Sequence, residues 1–162
     1  MPAPSLAASM LPRVWQGVGY RPLPDPGPAR PLFDFAAVPW PRPDAIALAW
    51  GAFTGDERLV GALVAEGVEG QAFLHGPVVV AGSEPLEIAA QLVAAALDHA
   101  GALGYQTVFA RPQGLDRVWV RFGFIPVPES TLPSSLAGRP GAGLYAWRGG
   151  TALWTFREAP AE

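Results

Sequence analysis

The sequence predicts an α/β fold of the mixed α+β kind: a mostly antiparallel central sheet that splays, with a long helix after its third strand. Three observations carry this reading. Strand-like runs separated by short turns fill residues 45–80. One helical stripe of apolar residues occupies 85–103 and is followed by a further strand at 106–110. A short helix, a glycine and an extended segment then close the pattern at 115–128. Of the 162 residues half are hydrophobic and 15% are charged, which is enough length and apolar content to bury one ordinary core.

Residues 1–44 read as a proline-rich N-terminal strap and 45–162 as the main domain. The strap holds a phrase that the chain states twice. Leu11, Arg13, Val14, Trp15, Gly19, Pro22 and Pro24 recur in register as Leu115, Arg117, Val118, Trp119, Gly123, Pro126 and Pro128. The first copy is therefore expected to repeat the helix-strand unit of 115–128, with Val14 and Trp15 turned inward like Val118 and Trp119. Between Arg21 and Pro43 a dense series of prolines fixes φ and removes donors, which excludes a long helix. Leu32, Phe33, Phe35, Val38 and Trp40 lie within that series and predict a strap packed on the core.

The main domain opens with Ala45 to Phe53 as a strand, Thr54-Gly55-Asp56 as a turn and Leu59 to Ala65 as the hairpin partner. Gly67 to Gly70 forms a second turn and Gln71 to Val80 the third strand. Gly76-Pro77 interrupts it; because proline cannot donate to a ladder, the pair predicts a bulge or a splayed edge. Over Pro85 to Leu103, residues Ala89, Leu92, Val93, Ala96, Leu97, Ala100 and Leu103 form one stripe at helical spacing. Proline in the first turn and Gly104 at the end punctuate that helix. The crossover makes Gln106 to Ala110 parallel to the third strand. Gly143 to Trp147 and Thr151 to Phe156, joined by Arg148-Gly149-Gly150, read as a closing hairpin.

Composition limits the function classes. A net charge of −3 and a pI near 5.3 give no electrostatic attraction to nucleic acid or to an anionic membrane. The absence of cysteine excludes thiol chemistry, disulfides and zinc–thiolate sites. The first residues have neither a basic start nor an unbroken apolar stretch, so no signal peptide is expected. Glu84, Pro85 and Glu87 break the apolar run between Val78 and Leu97, so no bilayer span is expected and the setting reads as cytoplasmic. No Ser-His-Asp arrangement, Walker loop or metal-ligand cluster is present, and no metal is expected.

The order of strands and helices over 45–128 resembles the GNAT superfamily of N-acetyltransferases. The specific echoes are Leu74-His75-Gly76-Pro77-Val78-Val79-Val80 before the long helix, Leu97-Asp98-His99-Ala100 with Gly104-Tyr105 at its end, and Phe122-Gly123-Phe124. The resemblance implies an acetyl-CoA-dependent N-acyltransferase acting on the amine of a small molecule or peptide. It implies cofactor binding at Val78, Val79 and Val80 on the third strand and at Ala89 and Ala90 near the start of the helix. The helix start suits a pyrophosphate through its unpaired N–H groups and dipole. This sequence departs from the family in three places. Glu84 and Glu87 stand where the family's phosphate loop has uncharged or basic residues, and only Ala89 of the three defining positions conforms. Trp119 occupies the position of the family's proton-donating tyrosine, and an indole N–H is no acid near neutral pH. Residues 1–44 show no sign of the strand and helix with which members begin.

The candidate catalytic residues are His75, Glu66 and Tyr105. His75 lies just before the bulge, where a base for the amine could sit, or it packs as an ordinary strand histidine. Glu66 could bind an amine, or it is a solvated acid near a turn. Tyr105 and Tyr145 are potential proton donors, or core tyrosines. His99 sits among alanines and is expected at the solvent edge of the long helix. The alternative to an enzyme is a GNAT-fold binding or dimerisation module without CoA binding. The closing strands and the strap could support a homodimer by strand exchange.

Overall fold

The computed structural model describes residues 13–80, 84–136 and 143–148. Among these, eight strands are β1 (Arg13–Trp15), β2 (Val18–Pro22), β3 (Ile46–Phe53), β4 (Leu59–Val68), β5 (Gln71–Val79), β6 (Thr107–Ala110), β7 (Ile125–Pro126) and β8 (Tyr145–Arg148). Three α-helices are α1 (Arg30–Phe35), α2 (Pro85–Ala102) and α3 (Asp116–Arg121). The strands make one sheet in the order β1-β2-β3-β4-β5-β6-β8-β7. All pairings are antiparallel except β5 with β6, where the α2 crossover returns the chain in the same direction. The expected strands and long helix are thus in place. Thr151 to Phe156 lies outside the described residues; β8 instead pairs with β6 on one side and β7 on the other.

Each face of the sheet is covered. On one face, α2 buries Leu92, Val93, Ala96 and Ala100 against Trp50, Leu63, Leu74 and Val108, with Trp119 of α3 completing the cluster. Full burial of a side chain such as Leu92 contributes roughly 1.5–3 kcal/mol, so this stripe dominates the packing. Leu103, expected to end the stripe, lies past the helix and is 42% exposed. On the other face, Phe33 of α1 packs with Ala62, Val64 and Val78 and meets Trp40 edge to face at 5.0 Å. The proline strap is therefore anchored as expected by Leu32, Phe33, Val38 and Trp40. Phe35, expected as a further anchor, points outward. No helix among the described residues is long and apolar enough to cross a membrane.

The two copies of the repeated phrase fold differently. The first is a β-hairpin in which Trp15 pairs with Val18 and Arg13 with Tyr20. Its two-residue turn has positive φ at both Gln16 (51°) and Gly17 (81°), the conformation that matches strand twist in tight hairpins. The second copy has Val120 and Arg121 at those positions, which continue α3. Consequently Val14 is exposed, Trp15 is half-buried, and only Val118 and Trp119 are buried. The expected internal symmetry is absent. Instead β2 pairs with β3, Tyr20 opposite Ala52, so residues 18–22 and 30–35 supply the missing opening strand and helix.

Candidate functional site

The sheet opens between β5 and β6. Parallel pairing runs from Gln71↔Thr107 to Leu74↔Ala110 and stops, while β5 continues to Val79. At the same point β5 bulges against β4: Val64 pairs with His75 but Ala62 with Val78, leaving one extra residue on β5. Gly76 permits this. Its φ is +95°, and a Cβ there would stand 3.0 Å from the Val78 amide nitrogen and 3.2 Å from the Ala62 carbonyl. Gly76-Pro77 thus forms the bulge that the sequence predicts.

The opening holds a cleft of about 590 Å³. Pro77, Val78 and Val79 form one wall, and Pro85 and Ala89 of the first turns of α2 form another. Ala36 to Pro39, the segment after α1, borders it from the strap. Backbone strain gathers here. Of the six described non-glycine residues with positive φ, Gln16, Glu57 and Glu69 sit in hairpin turns. Of the other three, Ala37 (58°) and Gln113 (49°) line the cleft, and Glu84 (54°) caps α2, next to the cleft residue Pro85. Each such conformation costs roughly 1–3 kcal/mol and tends to accumulate where a site demands it.

A second cavity of about 480 Å³ adjoins this cleft, with Pro39 bordering both. Its floor holds the two acid–base candidates. Glu66 on β4 and His75 on β5 point to the strap-covered face, and His75 Nε2 lies 2.8 Å from Glu66 Oε1. Both are buried, Glu66 at 1% and His75 at 7% exposure. The imidazole also stacks on Phe73 at 5.0 Å. With Glu66 ionised, its carboxylate accepts from Nε2–H and Nδ1 is the acceptor nitrogen of the neutral ring. Trp40, Arg42 and Ser135 complete the cavity rim. Glu66 is therefore no solvated turn acid: β4 runs three residues further than expected and places it inside the strand.

Tyr105 lies elsewhere. It precedes β6 on the α2 face, and its hydroxyl occupies the space a Cβ on Gly67 would take, at 2.0 Å. Gly67 follows Glu66, so the two side-chain directions are opposite and Tyr105 is separated from the Glu66–His75 pair by the sheet. Of the residues expected at the cofactor, Val78, Val79 and Ala89 line the cleft. Val80 does not; its amide donates to the Val60 carbonyl at 2.8 Å and its side chain faces another cavity. Ala90 is buried in the core beneath α2. His99, expected at the solvent edge, is also buried, where its Nδ1 accepts a 3.1 Å bond from Trp50 Nε1. Trp119 donates to the Pro112 carbonyl at 3.0 Å and is fully buried. Tyr145 donates to Asp116 at 2.8 Å, and this bond, more than its partial burial, raises its pKa.

The helix start combines donors and acids. Pro85 removes one amide from the first turn, and Ile88 N–H already closes the first helical bond on Glu84. Glu87 is held by Arg121, whose Nη1 donates to both carboxylate oxygens at 3.2 Å. Those bonds lower the Glu87 pKa. The two acids of the sequence thus differ: Glu87 carries its own counter-charge, and Glu84 stands in a left-handed cap. Among the described residues no cluster of three metal-ligating side chains occurs.

No protein-family model matches the chain, and no curated protein matches it by sequence. Solved structures match it by fold. A GNAT-family acetyltransferase from Staphylococcus aureus Mu50 aligns with a TM-score of 0.65 at 13% identity, covering 81% of this chain and 98% of the other. N-acetylglutamate synthase from Neisseria gonorrhoeae, solved with coenzyme A and N-acetyl-glutamate, also gives 0.65, at 18% identity over 84% of this chain and 35% of the synthase. The ribosomal-protein-S5-alanine acetyltransferase of Vibrio fischeri gives 0.60 at 10% identity, covering 86% and 97%. By the order of its strands, the splay of β5 from β6 and these likenesses, the chain has the GNAT acetyltransferase fold.

Proposed function

We propose that the chain is an acyl-CoA-dependent N-acyltransferase that modifies the amine of a small molecule or peptide. Its base is His75, positioned by Glu66. The observation that carries this reading is the buried 2.8 Å Glu66–His75 pair in a cavity that shares a wall with the β5–β6 cleft. The cleft suits the acyl-bearing arm: its lining is mainly apolar, and among the described residues the β5 edge beyond Leu74 pairs with no strand on that side. Acetyl-CoA, when bound, supplies an acyl group activated as a thioester. Val78, Val79 and Ala89 would flank its arm, and the α2 amides after Pro85, with Arg121, would face its diphosphate. His75 would take a proton from the incoming ammonium group, and Glu66 would stabilise the imidazolium that results. Tyr105 has no part in this scheme, because the sheet separates it from the pair.

The test is turnover of acetyl-CoA with a panel of primary amines by the wild-type protein and by His75→Gln. General-base removal should lower kcat by about 100-fold or more, with KM for acetyl-CoA unchanged. Equal turnover by both proteins would remove His75 from the mechanism. The second reading, a GNAT-fold binding or dimerisation module, is favoured by Glu84 and Pro85 at the helix start, which weaken a diphosphate site. Calorimetry separates the two: no heat from acetyl-CoA at millimolar concentration would select the module.

A further inference from the structure

The cavity over the Glu66–His75 pair, about 480 Å³, carries opposite charges at two depths. Glu66 lies on the floor with its side chain 2% exposed, bonded at 2.8 Å to His75. Arg42 stands at the rim, its side chain 79% exposed. Much of the remaining wall is apolar, with Pro39, Trp40, Val68 and Leu136, and Trp40 is held edge to face against Phe33. The volume falls within the ordinary range for small-molecule sites.

Arg42 already has a weak partner. Its Nε lies 3.5 Å from Asp44 Oδ1, and Asp44 is equally exposed. Pairs of this kind contribute little, because water solvates both ions. The contact uses Nε, whereas the donors on Nη1 and Nη2 form the fork that matches a carboxylate. These positions constrain an acceptor for the proposed acyl transfer. Its ammonium group has to reach His75, which puts the cation beside Glu66. A carboxylate on the carbon next to that amine would stand against Glu66, and like charges at short range repel. A carboxylate at the far end of the molecule meets Arg42 instead, whereas a second cation there would be repelled. With Glu66 ionised and His75 neutral, Glu66 and Arg42 together complement a zwitterion whose charges are well separated.

We propose that the acceptor is an ω-amino acid, a primary amine joined through an apolar chain to a carboxylate, with the amine at His75 and the carboxylate on Arg42. This rests on the reading of His75 as the base of an N-acyltransferase. The chain between the two ends packs on Trp40 and Leu136. In the transfer the amine nitrogen forms the amide C–N bond as the thioester C–S bond breaks. The ammonium group gives up two protons, one to His75 and one to the departing sulfur. The product keeps its carboxylate but loses the cation that Glu66 attracts, which weakens its hold on the floor of the cavity. Arg42 is thus a specificity-determining residue that touches the substrate away from the reacting atoms.

The experiment compares 6-aminohexanoate with hexylamine, which has a methyl group in place of the carboxylate, with 1,6-diaminohexane, and with its α-amino isomer 2-aminohexanoate. Binding to the full chain is measured by calorimetry, and acyl transfer from acetyl-CoA is followed by thiol release. 6-Aminohexanoate should bind about fivefold more tightly than hexylamine, the upper part of what an exposed ion pair supplies, and should have the highest kcat/KM. The diamine and 2-aminohexanoate should be the poorest ligands. Arg42→Gln should bring 6-aminohexanoate and hexylamine within about twofold of each other, and Arg42→Glu should make the diamine the preferred ligand. Arg42 is exposed, so neither substitution threatens the fold. The two readings fail separately. The expected order of binding without thiol release overturns acyl transfer and leaves the ω-amino acid site standing. Thiol release with equal use of 6-aminohexanoate and hexylamine, an order of preference unchanged in Arg42→Gln, or no binding of 6-aminohexanoate at about 10 mM, where a millimolar ligand is near saturation, overturns the ω-amino acid.

Discussion

The Glu66–His75 pair gives the most direct quantitative test of the site, because its stability signature can be read without knowing any substrate. Both side chains are buried and bonded at 2.8 Å. Removing one partner of a buried, hydrogen-bonded carboxyl–imidazole pair leaves the other uncompensated and destabilises by about 3 kcal/mol, the upper end of the range for a neutral group and the lower end for a charged one. Replacing both by apolar groups of similar volume is close to neutral. Glu66→Leu and His75→Phe should therefore each cost about 3 kcal/mol singly, while the double variant should lose less than about 1 kcal/mol. The double-mutant cycle then yields a coupling of several kcal/mol, far above the roughly 0.5 kcal/mol error of additivity. Urea unfolding followed by tryptophan fluorescence reads this directly. With an m-value of about 2 kcal/mol/M, each single variant shifts the midpoint by about 1.5 M. A coupling below about 0.5 kcal/mol would mean that the two groups do not act as a unit, and the assignment of Glu66 as the positioning partner of His75 would fail.

Three further outcomes follow from other contacts. His99 has a pKa below the ordinary 6.5 because of burial, so the unfolded chain takes up its proton first as pH falls. The stability this residue supports is complete above pH 6.5 and declines as pH drops through that value toward the folded-state pKa. Thermal unfolding at pH 7.5 and 5.0 should show a loss that is smaller in His99→Leu. Gly67→Ala places a methyl group where the Tyr105 hydroxyl stands and should destabilise by about 1–3 kcal/mol, as overpacking does; Tyr105→Ala in the same chain should restore most of that by urea titration. Glu84→Gly removes an acid beside the helix amides and relieves a left-handed φ of 54°. Acetyl-CoA affinity measured by calorimetry should rise about two- to fivefold, the equivalent of 0.5–1 kcal/mol of helix-end electrostatics, and unchanged affinity would place the diphosphate away from this turn.

The sequence made the sheet's centre readable and its edges not. Alternation and turn residues over 46–79 specify β3, β4 and β5 locally, and the stripe from Ala89 to Ala100 specifies α2, so neither needs tertiary knowledge. The bulge was equally legible, because Gly76-Pro77 inside a strand has few other uses. The repeated phrase misleads because its seven identities leave seven differences, and two of those, Gln16-Gly17 against Val120-Arg121, set the local backbone. Those two choose between a hairpin and a helix. Gly17 between two short alternating runs was the signal that could have revealed this. Glu66 was misjudged for a related reason. A strand extended by three residues converts a turn acid into a core acid, and strand ends are set by cross-strand partners such as Phe73 and Ile46 that the local sequence does not specify. The full burial of Tyr20 was not legible either, because it depends on β2 joining β3, a long-range pairing.

The β5–β6 cleft and the Glu66–His75 cavity beside it are built from different features, which bears on how the proposed site would be used. The β5–β6 cleft depends on backbone features, the Gly76 bulge and the end of β5–β6 pairing at Leu74↔Ala110, and on the small side chain of Ala89. The neighbouring cavity is built around one buried polar pair, Glu66 and His75. Neither requires a positively charged surface, and the chain provides little of one at the helix start. There Pro85 withholds an amide, and Arg121 is already engaged with Glu87. If acetyl-CoA occupies the cleft as proposed, its pantetheine and acyl portions would contribute more to binding than its diphosphate, because the helix start offers only a weak anion site. Since apolar burial is insensitive to salt while phosphate contacts are screened, the balance between the two ends should govern affinity. Arg121 is the residue that links them, because each step it takes toward an incoming phosphate exposes the carboxylate of Glu87 on the same helix turn.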